Sequence, residues 1–138
     1  MSATSGLASP LGPYSHAATG GGLIFCAGQL ALDPDTSEPL THLDIDRQTR
    51  IVLANLMTVL DGYGATLGDV LRTTVYLRSL DDYASMNAVY REFFGEHRPA
   101  RATMEISALL GNLAVEIDAV AVLPVPNPHR SSTVTGES

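Results

Sequence analysis

Apolar residues recur along this chain at two spacings, and the alternation between them outlines the domain. From Asp44 to about Tyr63, the residues Ile45, Val52, Leu56, Val59, Leu60 and Tyr63 return at the interval of one helix face, and Gly62 to Gly64 close that stretch. Tyr83, Met86, Tyr90, Phe93 and Phe94 form a second helical stripe, entered through Ser79-Leu80-Asp81-Asp82, which reads as a capping box, and stopped by Gly95 and Pro99. Between the two, residues 70–77 are rich in β-branched and aromatic side chains and predict a strand. Residues 101–107 and 113–123 predict two more. Upstream, residues 14–19 and 23–28 flank Gly20-Gly21-Gly22 as the arms of a hairpin, and Asp33-Pro34-Asp35 marks a turn. The order β-β-α-β-α-β-β predicts an α+β fold, a mainly antiparallel sheet carrying both helices on one face.

Parity sorts the faces of the last two strands, because successive side chains of a strand point to opposite sides. Leu113, Val115, Ile117, Ala119 and Ala121 are wholly apolar and predict the bed for the helices. Ala114, Glu116, Asp118, Val120 and Val122 face the other way. In the strand before, Met104 and Ile106 alternate with Arg101, Thr103 and Glu105, so the polar set is assigned to the face away from the helices. Pairing of the two strands through a short loop around Leu109-Leu110 then sets Thr103 opposite Glu116 and Arg101 opposite Asp118. A face that mixes Val120 and Val122 with charges points to cover by another subunit, with charged residues left in clefts between protomers. Arg101 has two readings there: a structural ion pair with Asp118 or Glu116, or an anchor for an anionic ligand, for which the planar guanidinium fork is suited.

Composition narrows the classes. With 138 residues, 45% of them hydrophobic, the chain predicts one domain over residues 1–123, with an irregular Ser-, Gly- and Pro-rich arm over 1–13 and a mobile, polar, proline-rich tail over 124–138. The formal net charge of −7 disfavours nucleic acid as a partner but leaves room for a small anion in a local basic pocket. The single cysteine, Cys26, lies in an apolar run and reads as buried filler. Nothing in the sequence resembles a membrane span or a leader, which predicts a cytoplasmic protein.

Rival chemistries find little support. No histidine has ligand spacing to Glu116 and Asp118, and the neighbouring Arg101 opposes a cation, so no metal is expected. His16, His42 and His97 read as solvated or hydrogen-bonded side chains, and His129 falls in the tail. The glycine triplet precedes a strand and lacks the lysine of a phosphate loop, and no nucleophile elbow surrounds Ser15. Asp44 and Asp46 read as capping and dipole charges of the first helix.

Gly12-Pro13-Tyr14, Ala27-Gly28-Gln29, the helix from Asn87 to Phe94, Pro99-Ala100-Arg101 and Val115-Glu116-Ile117-Asp118 together resemble the YjgF/Rid family of RidA-like reactive-intermediate imine deaminases, over about residues 11–123. The resemblance implies a chorismate-mutase-like α+β protomer in a homotrimer with sites between subunits, and hydrolysis of 2-imino or enamino acids to 2-keto acids and ammonia without cofactor or metal. It implies Arg101 as the carboxylate anchor and Glu116 as the residue that orients and deprotonates water. Tyr14 becomes a wall of the pocket and Asn87 a site residue; the backbone at Thr103 contacts the imine nitrogen, and Gly28 lets the chain approach the ligand. Family members commonly carry Ser at the position of Ala27, Cys at Thr103, and Pro-Lys at Leu110-Gly111; these departures bear on substrate choice more than on fold. Two other functions share the scaffold: a non-catalytic small-carboxylate-binding or regulatory module, and a ribonuclease, the latter opposed by the acidic charge and the lack of a basic, aromatic-interleaved patch.

Overall fold

The structure, a computed structural model, describes residues 6–125. Residues 1–5 of the expected arm and 126–138 of the expected tail, His129 included, lie outside the described residues. Strands β1 (Ala17–Gly20) and β2 (Leu23–Gln29) form the hairpin. Gly21 and Gly22 turn it with φ of 61° and 79°, the left-handed pair that a two-residue connection between twisted strands demands. Helix α1 (Ile45–Asp61) starts at Asp44, whose carboxylate accepts from the Arg47 amide at 2.9 Å, as its capping role requires. Strand β3 (Val70–Leu77), helix α2 (Tyr83–Phe94), strand β4 (Ala100–Glu105) and strand β5 (Val115–Val122) complete the order read from the sequence.

Ser79 plays a smaller part than expected. Its hydroxyl caps a 3₁₀ turn, Leu80–Asp82, by accepting from the Asp81 amide, and α2 then begins at Asp82 without a side-chain cap. The reciprocal box is instead at Thr66 and Asp69, around the short turn that feeds β3.

Both helices lie on one face of a five-stranded sheet, in the order β1-β2-β5-β3-β4. The side chains of Ile24, Val75, Val115 and Ile117 from the sheet, Leu53, Leu56 and Leu60 from α1, and Met86 and Val89 from α2 are fully buried between the layers. The odd-numbered set of β5 thus forms the helix bed, as parity predicted. Cys26 is buried among them, and burial pushes its thiol up to about 11, so it is packing material rather than a nucleophile.

Strand β4 overturns one expectation. It is not the partner of β5; it lies at the sheet edge, parallel to β3, with Thr73 beside Arg101 and Val75 beside Thr103. A strand followed by a crossover helix returns parallel to its predecessor, and α2 is that crossover. β3 separates Arg101 from Asp118, which faces Thr74, and Thr103 from Glu116, which faces Tyr76. Register also reverses the face: Thr73 lies beside Ala119 of the helix bed, so Arg101 and Thr103 look toward α2, while Met104 looks outward and is 39% exposed.

The link from β4 to β5 crosses the end of β3 and turns at Leu110–Asn112. Gly111 there has φ 61°, and a Cβ on it would stand 2.5 Å from the Pro39 ring, while its carbonyl accepts from the Thr41 hydroxyl at 2.6 Å. The departure at this position therefore answers to local geometry. Gly111→Ala is expected to lower the unfolding free energy by about 1–3 kcal/mol in urea titration, through left-handed strain and the clash with Pro39; an unchanged midpoint would refute the contact.

Candidate functional site

Arg101 is the second residue of edge strand β4, and its helix-side neighbours are aromatic. Its guanidinium carbon lies 4.8 Å from the centroid of the Tyr90 ring and 5.6 Å from that of Tyr83. One terminal nitrogen donates to the Tyr83 hydroxyl at 3.1 Å, and the other approaches the Met86 sulfur at 4.0 Å. Tyr90 is itself fixed, its hydroxyl 2.7 Å from that of buried Thr73. Cation–π and hydroxyl contacts of this kind hold a guanidinium in place without neutralising it. Among the described residues no carboxylate comes within ion-pair distance of Arg101, so the reading of Arg101 as a structural partner of Asp118 or Glu116 is excluded. Tyr83 responds to its neighbours: the Asn87 amide, and then Arg101, draw its phenol below the usual range.

In front of this guanidinium is a cavity of about 240 Å³ lined by Asn87, Tyr90, Arg91, Arg98, Pro99 and Arg101. Asn87 and Arg101 are thus brought together. Thr103 follows on the same face of β4, and its hydroxyl is buried with no hydrogen-bond partner among the described residues.

Glu116 belongs to a different surface. It projects from β5 on the face away from the helices, opposite Tyr76. It lies directly over Gly28, where an added Cβ would come to 1.9 Å from its Oε2, so only glycine allows the carboxylate to rest there. Burial, and then the charge of Asp118, push the Glu116 carboxyl above its ordinary value. Asp118 is held by the Tyr76 hydroxyl, which donates to it at 3.1 Å, and burial followed by that same carboxylate raises the Tyr76 phenol. Gly28 also lines a small recess with Tyr14, His16 and Gln29. Tyr14 is half exposed, its hydroxyl accepting from the Leu11 amide, and His16 spans the Ala8 carbonyl and the Gln29 amide.

The six residues singled out in the sequence therefore fall into two clusters: Asn87, Arg101 and Thr103 against α2, and Tyr14, Gly28 and Glu116 at the open face. One protomer does not join them. Sequence reasoning missed the aromatic seat of Arg101 and the two further arginines of its cavity, although Tyr83, Asn87 and Arg91 stand four residues apart, the spacing that aligns side chains along a helix. Among the described residues no three His, Cys, Asp or Glu side chains gather as a metal site, and no helix is long and apolar enough to cross a membrane.

Comparison with known proteins shows the family. The chain is 46% identical over 112 residues to a RutC family protein of Pyrococcus abyssi, covering 81% of this chain and 87% of that one. It is 35% identical over 123 residues to the 2-iminobutanoate/2-iminopropanoate deaminase of Escherichia coli K12, covering 87% and 94%. The solved structure of E. coli TdcF with bound serine superimposes with a TM-score of 0.79 at 32% identity, over 86% of this chain and 94% of that one. Residues 6–123 match the family described as Endoribonuclease L-PSP, and the chain belongs to that family, the YjgF/RidA proteins.

Proposed function

We propose that this protein hydrolyses reactive 2-imino and enamino acids to 2-keto acids and ammonia. The observation that carries this reading is Arg101: a fixed guanidinium at a cavity, with no carboxylate among the described residues to neutralise it. Such a group is suited to the carboxylate of a small organic acid.

The chemistry needs little else. Water adds to C2 of the imine as Glu116 takes one of its protons. That proton passes to nitrogen to give the neutral carbinolamine, which collapses as its hydroxyl proton is relayed through Glu116 to the amine; C–N cleavage then releases ammonia and leaves the keto acid. A carboxyl whose proton affinity is raised by burial and by Asp118 is a better base toward water than an exposed glutamate. Asn87 and Thr103 border the anchor and Tyr14 the base, with Gly28 allowing close approach.

Because Arg101 and Glu116 look from opposite faces of one sheet, the reading requires two protomers for each site. The open face favours such an assembly: Phe25, Leu71, Met104 and Val122 are 39–49% exposed there and gain cover from a second copy. We assign a cyclic homotrimer of cytoplasmic chains, with each cleft formed by the anchor of one protomer and the base of its neighbour.

Coupling the protein to a dehydratase that releases 2-aminoacrylate tests the reading. Glu116→Gln is expected to lower kcat about 10²- to 10⁴-fold, and Arg101→Ala to lower kcat/KM about 10- to 100-fold; wild-type rates in either variant would end the assignment. The folded-state pKa of Glu116 is raised, so the base is lost as pH falls through a value above that of an ordinary glutamate, and the acid limb of kcat/KM should disappear in Glu116→Gln. Linkage has the opposite sign for stability: a raised carboxyl pKa means that stability declines as pH rises through it, so Glu116→Gln should melt no lower than wild type at pH 7. Gly28→Ala, which displaces the Glu116 carboxylate, should mimic its loss with Arg101 untouched. Coexpressing Arg101→Ala with Glu116→Gln chains should restore turnover in roughly a quarter of the clefts of a randomly mixed trimer, whereas no recovery from a mixed assembly would show that the two groups do not share a cleft.

A further inference from the structure

Arg101 is not the only cation at its cavity. Arg91, one helical turn beyond Asn87 on α2, and Arg98, in the link from α2 to β4, line the same space. Seven arginines lie in the described residues, and of these Arg50 alone has a carboxylate within ion-pair distance. Glu92, the acid beside Arg91 in sequence, is bound by Arg50 in a two-nitrogen fork at 2.8 and 3.1 Å, and so is committed to α1. Arg98 is tethered instead by the carbonyls of Gly95 and His97 at the C-terminal end of α2. The cavity thus collects three guanidinium groups and no acid in its lining, in a chain of net charge −7. Mutual repulsion of like charges in a concave site is relieved by an anion, and three such groups exceed what one carboxylate satisfies.

We infer that Arg91 and Arg98 form a second anion subsite beside Arg101, so that the preferred substrates are short 2-imino acids carrying a second, terminal carboxylate. This rests on the deaminase reading above. At about 240 Å³ the cavity is far larger than one water requires and lies near the lower end of ligand pockets. Arg101 would hold the carboxylate next to the imine carbon, and Arg91, free on the helix surface, would close on the distal one while Arg98 raises the local potential.

The full-length protein is to be assayed with imines generated in situ by amino-acid oxidases, from glutamate for the dicarboxylic case and from 2-aminobutyrate for the monocarboxylic case. The inference expects kcat/KM for the glutamate-derived imine to exceed the other by about 10-fold or more, and Arg91→Ala to lower it about 10- to 100-fold while the monocarboxylic value changes less than about twofold. Arg91→Glu should invert the preference. Equal turnover of both imines, or equal loss of both in Arg91→Ala, overturns the subsite and leaves the deaminase reading standing. In parallel, calorimetry compares 2-oxoglutarate with 2-oxobutanoate: selective binding of the diacid that Arg91→Ala abolishes, with neither imine turned over, upholds the subsite and removes the deaminase reading. Absence of selective binding together with absence of turnover overturns the subsite as well.

Discussion

The functional reading depends on how one guanidinium is held. A buried or half-buried arginine is ordinarily stabilised by a carboxylate, and the pair then has little remaining attraction for anything else. Arg101 is held by π faces, a phenol oxygen and a thioether. These contacts fix position while leaving the charge in force, which is the condition for recognising an anion from solution. The seat is in turn fixed by the core: Tyr90 is bound through its hydroxyl to Thr73 on the neighbouring strand and stacked on Phe94 at 4.4 Å, so Arg101 rests on a rigid floor rather than on mobile surface side chains.

The opposite face of the sheet uses the complementary device. Glu116 is desolvated and set two residues from Asp118, which is held in place by Tyr76, so its carboxyl keeps a proton more tightly than an exposed glutamate, with no cation within ion-pair distance among the described residues. Had β4 paired with β5, Arg101 would lie against these carboxylates and would lower the proton affinity of Glu116 while losing its own charge to them. Inserting β3 between the two strands keeps acid and cation apart within a protomer. Topology thereby preserves the charge of the one and the raised proton affinity of the other within a single protomer.

Most of the fold was legible because its elements are locally encoded. β3 spans the residues that β-branched content predicted, α2 stops at the glycine that predicted its end, and the glycine turn sets the hairpin register. The face of Arg101 was not legible from parity alone. Alternation within a strand ranks its two sides, but which side is buried depends on the neighbours, and at a sheet edge Met104 is exposed while Arg101 and Thr103 are partly covered by a helix. The information was present at another level: a strand, a helix and a strand in succession call for a parallel return, and that rule outranks a hydrophobic count over six residues. Tyr83 and Tyr90 were read only as apolar stripe members, since periodicity does not distinguish a ring that fills a core from one that supports a charge.

The distribution of satisfied and unsatisfied polar groups separates scaffold from site. Where the chain only needs to fold, its buried polar side chains are provided for: Gln48 donates to the Leu43 carbonyl and accepts from the Ala114 amide, Thr49 donates to the Ile45 carbonyl, and His97 binds the Val70 carbonyl. The exceptions fall in the two clusters, one on each face of the sheet. They are the desolvated Glu116 and the Thr103 hydroxyl, buried without a partner among the described residues. A buried hydroxyl left unmet costs about 1–3 kcal/mol, whereas a thiol at the same position, a far weaker donor, would make little demand. Thr103 therefore adds a hydrogen-bond requirement beside Arg101 that a cysteine does not impose. Groups of this kind lower the stability of a lone protomer, and they are the groups that a ligand or a neighbouring protomer can satisfy.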